Sequence, residues 1–470
     1  MSFPQQSLFD KKSEQKYSLW KKKSVLLTEL RKDNTYEGIL LKYSSSRNEY
    51  KKKLFLLSGN KLYYYYSSSS KLTKGYMNIQ LVSFSYNKVH FEGKSAYSIK
   101  FSRNNRCSVF MIREQESFQS FFTAVRPYVI QENFHEIYTC KKIIGKGGFA
   151  SVYLCCNKKT NEKVAVKAFS KKQIRKEHNG IEILINEIKI SRSLNHSNIM
   201  KFIELFETEG SIYMVLELLE GEELLTYTRN KGKLSIKVIC KIVRSVLKSL
   251  VYLDEKGIIH RDLKPSNIIL KSENNKDCPS IKLIDFGLAT HENVSNYIVP
   301  RCGTPGFIAP EILGFVSEAK YKQTSKSDVF SLGVLLYYLI VGSLPFHADT
   351  VEEILLKNFA CKVDFSNHEI IKIPRLKDLL MQMLKADPYK RISAKNALKH
   401  MFFDNYYESI DNLDKCSAEL VEYKQVKPIL RRQDTEDLML FMTEGIINGK
   451  LNSVKTVESS GSVVLMKNKT

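Results

Sequence analysis

The chain has 470 residues, of which 43% are hydrophobic and 26% charged, proportions typical of a globular protein with room for two or three domains. Its formal net charge is +23, and residues 1–131 alone carry 23 Lys and Arg against 9 Asp and Glu, which favours an anionic partner such as a membrane surface or nucleic acid. The most apolar run, residues 329–342, is shorter than the roughly 20 residues that span a bilayer, and it predicts a buried core helix. Nine scattered cysteines without a C-x-x-C pair argue against structural zinc and predict a reduced intracellular protein.

Residues 1–33 are polar and rich in lysine, and we expect a basic, disordered arm. The start lacks the apolar core of a signal peptide. Trp20 stands beside Lys21–Lys23. This combination fits an interfacial membrane anchor, but it also fits a solvated lysine run.

Residues 34–131 have the pattern of a small β domain. Apolar and aromatic runs between residues 36 and 110 alternate with Ser, Asn and Gly clusters, which is typical of an antiparallel sheet or barrel. Phe118, Phe121, Phe122 and Val125 then fall on one helical face. We expect about seven strands closed by one amphipathic helix.

A second domain begins near Tyr138, first with strands and then mainly with helices, and continues to about residue 403. Its glycine-rich stretch "IIGKGGFASVYL" has Ala150 where a third spaced glycine would complete G-x-G-x-x-G. Such a stretch fits an ordinary hairpin as well as a phosphate cradle. A strand follows it, which argues against a dinucleotide fold, and no G-x-x-x-x-G-K-[ST] loop is present in the sequence.

Five polar residues downstream suit phosphoryl transfer. Lys167 in "KVAVKAF" lies on a strand from which it can reach nucleotide phosphates, and Glu187 on the following helix can hold it there. Asp262 in "IIHRDLKPSNIIL" suits the carboxylate that orients a hydroxyl and accepts its proton. Asn267 and Asp285 offer the oxygen ligands that Mg²⁺ prefers.

Together with "APE" at 309–311 and "DPYKR" at 387–391, these motifs resemble those of eukaryotic serine/threonine protein kinases over residues 138–403. The resemblance implies a two-lobed α+β fold that uses ATP and Mg²⁺. The implied catalytic residues are Asp262, Lys264 and Asn267, and the implied metal ligands are Asn267 and Asp285. The implied nucleotide-binding residues are Ile144, Gly145, Lys146, Gly147, Gly148, Phe149, Ala150, Ser151, Val152, Ala165, Lys167, Glu187, Glu217, Leu219 and Glu223.

The resemblance also implies supporting roles. Lys264 with Thr304 is similar to serine/threonine rather than tyrosine kinases. Glu311 should pair with Arg391, and Asp328 should brace the catalytic loop. The kinase domain is similar to the calcium/calmodulin-dependent group in "GTPGF" and in the "DVFSLGVLLYYLIVGSLPF" run.

Two positions depart from the kinase pattern. Ser191 stands where the family usually has an apolar side chain that packs the Glu187 helix, so it either weakens that helix or reflects local repacking. Pro300 stands where an activation-loop Thr or Ser would carry a phosphate for Arg261. Control at another site is therefore expected, with Ser295 and Tyr297 as substitutes.

Residues 36–130 resemble a pleckstrin-homology (PH) domain. By that resemblance, Lys42, Lys51 and Lys53 would bind a phosphoinositide, with Lys53 replacing an arginine whose planar fork grips phosphate. A PH fold that binds protein, or acidic lipid only loosely, remains the alternative.

The tail, residues 404–470, contains "ILRRQDTEDLMLF", in which Thr435 lies three residues after Arg432. The segment resembles an autoregulatory region of calcium/calmodulin-dependent kinases, and it also fits a helix N-cap at Asp434. Calmodulin stays open as a partner, although the tail carries 9 basic against 11 acidic residues.

The sequence thus predicts a multi-domain chain: a basic arm at 1–33, a PH-type β-barrel capped by one helix at 34–131, a two-lobed α+β kinase fold at 138–403, and a tail at 404–470. We expect a cytoplasmic serine/threonine kinase that its PH domain recruits to acidic phospholipid or phosphoinositide membranes. Expected substrates are proteins, with a modest basic preference through Glu223, and no nucleic acid partner is expected. A membrane-binding pseudokinase scaffold and a lipid-binding adaptor are the alternatives.

Overall fold

A computed structural model describes residues 7–10, 18–147, 150–271, 280–292, 294, 297–299, 301–313 and 323–404. Within them the chain forms two compact units. The first contains the residues up to Tyr227 together with Cys240–His260 and Pro265–His291, and the second contains Thr228–Ile239, Arg261–Lys264 and the residues from Glu292 onward. The predictions on Gly148, Phe149, Ser295, Pro300, Thr435 and the tail helix lie outside the described residues.

The N-terminal part of the first unit is a β-barrel closed by one helix. Its elements are β1 Trp20–Lys21, α1 Leu27–Leu30, β2 Asn34–Ser44, β3 Glu49–Ser58, β4 Lys61–Tyr65, β5 Gly75–Asn78, β6 Ser83–Phe91, β7 Lys94–Arg103, β8 Arg106–Ile112 and α2 Gln115–Val125. Strands β2–β8 pair antiparallel, and α2 buries Phe118, Phe121 and Val125 against them. The prediction of seven strands and one amphipathic helix is confirmed.

The arm differs from the expectation of disorder over residues 18–33. Trp20 pairs with Met77 in the β1–β5 ladder, and the Val25 amide donates to Thr73 Oγ1 at 3.0 Å. Leu27 is buried against the outer face of the barrel. Packing of Trp20 and Leu27 removes their apolar surface from water, which stabilises this segment against the barrel. The lysines between the two residues are therefore part of a folded segment.

A short strand joins the barrel to the next sheet. The elements are β9 Ile130–Gln131, α3 Phe134–Ile137, β10 Tyr138–Lys146, β11 Ala150–Asn157, β12 Lys163–Ser170, α4 Lys171–Lys176, α5 Gly180–Ser193, β13 Phe202–Glu207 and β14 Ser211–Glu217. Strand β9 runs parallel to both β6 and β13, so one hydrogen-bonded sheet continues from the barrel into the five strands β10–β14.

The remaining elements are mainly helical. They are β15 Gly221–Glu223, α6 Leu224–Lys231, α7 Ile236–Glu255, β16 Ile258–Ile259, β17 Ile268–Lys271, β18 Ile281–Leu283, β19 Thr290–His291, α8 Pro310–Leu313, α9 Lys326–Val341, α10 Val351–Ala360, α11 His368–Ile371, α12 Pro374–Met383 and α13 Ala394–Ala397. As predicted from its apolar run, α9 is buried from Ser327 to Ile340. Gly333 lets α12 approach, since a Cβ there would lie 2.9 Å from Met383 Cβ. Among the described residues, no helix is long and apolar enough to cross a membrane.

Candidate active site

Lys167 is held by two carboxylates in the first unit. It lies in the middle of β12, between β11 and β14, on the same strand face as Ala165 and Phe169. Its Nζ donates to Glu187 Oε1 at 2.5 Å and to Asp285 Oδ1 at 3.1 Å. These contacts fix the ammonium where the sequence predicted a phosphate-binding lysine, and they bring three of the predicted site residues together.

Helix α5 presents Glu187 to this cluster. Leu184, Glu187, Ile188 and Ser191 are buried at i, i+3, i+4 and i+7 of one helical face. The pair with Lys167 is formed with Ser191 buried on the same face. The Lys167–Glu187 contact is thus present with a buried serine at position 191.

The glycine-rich stretch forms the hairpin between β10 and β11. Gly145 lies opposite Val152 and Lys146 opposite Ser151, and the Gly147 amide donates to the Ala150 carbonyl at 2.8 Å. Ala150 is buried in the core that also contains Ala165. A hairpin followed by strand β11 agrees with the exclusion of a dinucleotide fold.

The predicted nucleotide-binding residues Glu217, Leu219 and Glu223 lie at the end of β14 and in the segment after it. Leu216 is buried, and Glu217 Oε1 accepts hydrogen bonds from Lys282 Nζ and from the Lys201 amide, each at 2.6 Å. Leu219 is half-buried and the side chain of Glu223 is exposed. Glu217 thus anchors the end of β14 to Lys282 and to the Lys201 backbone.

The two predicted Mg²⁺ ligands are close in the backbone of the first unit. The Ile284 amide donates to the Asn267 carbonyl at 2.9 Å, and β17 pairs with β18 directly after Asn267 and directly before Ile284. Asp285 has a left-handed backbone with φ of 61°, and the Gly287 amide donates to its Oδ1 at 3.3 Å. An amide oxygen and a carboxylate suit Mg²⁺, which keeps several waters and is otherwise bound by substrate phosphates.

The proposed proton acceptor belongs to a second cluster, in the second unit. Lys264 Nζ lies 2.9 Å from Asp262 Oδ2 and donates to Thr304 Oγ1 at 2.7 Å, and Thr304 Oγ1 donates to Asp262 Oδ1 at 2.6 Å. This closed ring fixes the orientation of the Asp262 carboxylate. The ring also brings together Lys264 and Thr304, the two residues similar to those of serine/threonine kinases.

Hydrogen bonds of two buried charged side chains, Asp328 and Arg261, support this second cluster. Asp328 is 1% exposed, and its Oδ1 accepts the Arg261 amide at 2.8 Å, which is the bracing role predicted for it. The Arg261 guanidinium donates to the Val299 carbonyl at 2.6 Å and lies 5.5 Å from the Tyr297 ring. Protein groups thus engage the arginine that a phosphate would otherwise engage.

The predicted pair between Glu311 and Arg391 is confirmed. Arg391 Nη1 and Nη2 donate to Glu311 Oε1 and Oε2 at 2.6 and 2.9 Å. The side chains are 0% and 1% exposed.

The fold and these two clusters define a class of protein: a nucleotide-dependent phosphotransferase with a PH-like barrel before it. The protein kinase domain family matches residues 138–403, and the PH domain family matches residues 34–129. The chain belongs to the protein kinase family.

Its relatives are serine/threonine, calcium-dependent and myosin light chain kinases. A probable serine/threonine-protein kinase 2 of Plasmodium falciparum is 38% identical over 63% of this chain and 56% of that protein. Calcium-dependent protein kinase 4 of the same species is 33% identical over 65% and 58%, and a probable myosin light chain kinase of Dictyostelium discoideum is 34% identical over 60% and 70%. The chain thus spans less than two thirds of the length of the first two.

Proposed function

We propose that the chain is a serine/threonine protein kinase that transfers the γ-phosphoryl group of ATP to protein hydroxyls and is recruited to anionic membranes by its PH domain. The observation that carries the kinase activity is the contact of Lys167 with both Glu187 and Asp285. A chain with this cluster and an oriented Asp262 retains the groups that a pseudokinase scaffold can lose.

Each of the site residues would have a separate role in phosphoryl transfer. Lys167 holds nucleotide phosphates, and Asp262 orients the substrate hydroxyl and accepts its proton as oxygen bonds to the γ-phosphorus and the bond to ADP breaks. Lys264 balances negative charge beside Asp262. Asn267 and Asp285 would hold Mg²⁺, which supplies charge neutralisation at the phosphates when bound.

The mouth of the PH barrel bears on lipid binding. We define it by Trp20, Lys42, Lys53 and Tyr64. Lys42 Nζ lies 4.0 Å from the Trp20 ring centroid and Lys53 Nζ 4.6 Å from that of Tyr64, while Trp20 Nε1 donates to Ser108 Oγ at 2.9 Å. Burial, followed by the charge of Lys53, lowers the pKa of Lys42 to about 8.

Trp20 is therefore half-buried in the barrel, which argues against its proposed role as an interfacial anchor. Lys51 lies opposite Lys42 in the β2–β3 ladder and on the same strand face as Lys53, and its Nζ also lies 3.1 Å from Glu49 Oε1. Headgroup binding would thus use Lys42, Lys51 and Lys53, of which Lys42 and Lys53 already make cation–π contacts.

An exposed surface beside the mouth is the observation that favours an anionic bilayer. Three apolar side chains are exposed there: Leu26 by 46%, Leu72 by 44% and Tyr66 by 61%. Leu26 and Leu72 meet in a β-bridge, and Lys74 Nζ lies 5.8 Å from the Tyr66 ring. The exposed lysines of the same surface are Lys21, Lys22, Lys23, Lys71 and Lys74.

We call these eight residues the basic-apolar edge. The two segments that form it, residues 18–27 and 61–77, contain no Asp or Glu. Each lysine near an anionic surface contributes about 1 kcal/mol, and exposed Leu and Tyr side chains can enter the headgroup region. The edge can thus bind acidic phospholipid independently of a phosphoinositide in the barrel mouth.

The test is sedimentation of the full chain with vesicles of phosphatidylcholine alone, with phosphatidylserine added, and with a phosphoinositide added to both. We expect Leu26→Ser/Leu72→Ser to weaken binding to phosphatidylserine vesicles, whereas Ile371→Ser/Met381→Ser, which changes two equally exposed apolar residues, should not. Lys51→Ala/Lys53→Ala should remove only the phosphoinositide increment. Equal sedimentation with neutral and acidic vesicles would overturn membrane recruitment.

Substrate preference and calmodulin binding belong to the same proposal. The exposed Glu223 supports a modest preference for a basic residue before the acceptor. A peptide array that is indifferent to Arg at every position before the acceptor would contradict it. Calmodulin stays an open partner, because the segment around Thr435 lies outside the described residues.

A further inference from the structure

The helix that carries Glu187 is tied at its C-terminal end to the PH domain. Arg192, five residues after Glu187 on α5, donates from Nη1 to the Tyr128 carbonyl at 2.7 Å and from Nη2 to the Val129 carbonyl at 2.9 Å. Tyr128 and Val129 lie between the closing helix of the barrel and β9. One guanidinium thus spans the junction between the two domains.

The two acceptor carbonyls belong to residues that are part of the PH domain core. Val129 is buried in the core of the PH domain, and Tyr128 packs against that core. The next residues form β9, which pairs with β6 of the barrel and with β13 of the kinase sheet. The two carbonyl groups are therefore part of the folded barrel and not of a free linker.

Further buried contacts stabilise the junction between the barrel and the kinase sheet. Glu204 is 3% exposed, and its carboxylate accepts from Gln131 Nε2 at 2.6 Å and from the Tyr138 hydroxyl at 2.5 Å. The Arg192 guanidinium carbon lies 5.1 Å from the Phe202 ring. Burial lowers the pKa of Arg192 to about 9, so it stays charged at pH 7, and a charge in this position requires its acceptors.

The donor side of the tie reaches the active site through one helix. Glu187 pairs with Lys167, and the neighbouring Asn186 donates from Nδ2 to the Ala289 carbonyl at 2.7 Å, four residues after Asp285. Five residues of α-helix span about 7.5 Å and move as one body. A displacement of Arg192 would therefore also displace Glu187 from Lys167 and Asn186 from the Ala289 carbonyl.

We propose that Arg192 is a positioning residue, which couples the PH domain to the Lys167–Glu187 pair by fixing the helix between them. It touches neither nucleotide nor substrate, and it acts through Glu187. This inference rests on the proposed kinase activity for its kinetic readout. It adds that the PH domain is part of the active kinase structure and not only a means of recruitment.

The experiment measures phosphate transfer and nucleotide KM for the full chain, well below its unfolding temperature. We expect Arg192→Met, which removes both charge-assisted hydrogen bonds, to lower kcat about tenfold or more, and Arg192→Lys to recover part of the loss. Arg175→Gln, which removes the charge of an exposed arginine on α4, should leave kcat unchanged.

A double-mutant cycle with Glu187→Gln separates positioning from general stability. If Arg192 acts through Glu187, adding Arg192→Met to Glu187→Gln should lower kcat by less than about twofold, because the same interaction is already lost. The same tenfold loss in both backgrounds would overturn the proposal, as would unchanged kcat in folded Arg192→Met.

Hydrogen–deuterium exchange keeps the proposal testable if transfer itself fails or if Arg192→Met does not fold. Amide exchange of residues 180–193 should be faster in Arg192→Lys than in wild type, with Arg175→Gln at the wild-type rate. Equal exchange in wild type and Arg192→Lys would contradict the tie. If residues 180–193 exchange more slowly in wild type than in Arg192→Lys but no phosphate is transferred, only the kinase proposal is refuted.

Discussion

The buried pair between Glu311 and Arg391 allows the strongest stability prediction. Beyond its two bonds to Glu311, Arg391 donates to the carbonyls of Lys385 and Lys326, each at 2.9 Å. Arg391→Met would leave the Glu311 carboxylate buried, with the Ser327 hydroxyl at 3.0 Å as its remaining donor among the described residues. Removing one partner of a buried ion pair costs about 3–5 kcal/mol of unfolding free energy.

At about 2–4 °C per kcal/mol for a domain of this size, the unfolding temperature should fall by about 6–20 °C. Thermal and urea unfolding of the full chain measure both quantities. Arg113→Met is the matched control, because Arg113 and Glu92 form a pair of similar length whose side chains are 51% and 61% exposed. That control should cost less than about 1 kcal/mol.

The double variant Glu311→Leu/Arg391→Met tests the cause. Since it removes both charges, it should be less destabilised than Arg391→Met alone. A decrease in unfolding free energy below about 1 kcal/mol for Arg391→Met would refute the reasoning from an uncompensated buried carboxylate. A double variant that is clearly less stable than Arg391→Met alone would refute it as well.

Two further predictions concern the sites. Thr304→Val removes the hydroxyl that joins Lys264 to Asp262 and should lower kcat about tenfold or more. Thr304→Ser keeps the hydroxyl and should retain most of the activity. If Thr304→Val had the same kcat as wild type, the hydroxyl would have no role in transfer. Because the pKa of Lys42 lies at about 8, below its ordinary value, its charge is lost as the pH rises from 7 to 9. Phosphoinositide binding should weaken over that window, and Lys42→Met should bind with less pH dependence; an unchanged slope in Lys42→Met would assign the titration to another group.

The active-site clusters could be predicted from the sequence because phosphoryl transfer restricts residue types at set spacings. The expected partners Lys167 and Glu187, and likewise Glu311 and Arg391, are in contact. The hairpin and the buried helix α9 follow from local pattern alone. These features depend on chemistry or periodicity within the kinase region.

The domain junction could not be predicted in the same way. Strand β9 has two residues and no periodicity, and its pairing depends on partners far along the chain at β6 and β13. Arg192 resembles any basic residue in a last helical turn. Only the three-dimensional arrangement brings two backbone carbonyls to its guanidinium.

The N-terminal arm shows a different limit. A lysine run beside one tryptophan predicts a solvated segment, but Trp20 packs against Phe55 and Phe110, with ring centroids 6.0 and 6.2 Å away. The apolar residues of the edge, Leu26 and Leu72, are separate in the sequence and become neighbours only when the arm folds onto the barrel.

The most direct measurement of the central claim is transfer of labelled phosphate from Mg-ATP to a protein substrate by the phosphatase-treated full chain, with Asp262→Asn as the control. The account predicts label on Ser and Thr hydroxyls with wild type, and none with the folded Asp262→Asn variant. Binding of Mg-ATP by wild type without any transfer to protein would contradict the account and favour a membrane-binding pseudokinase scaffold.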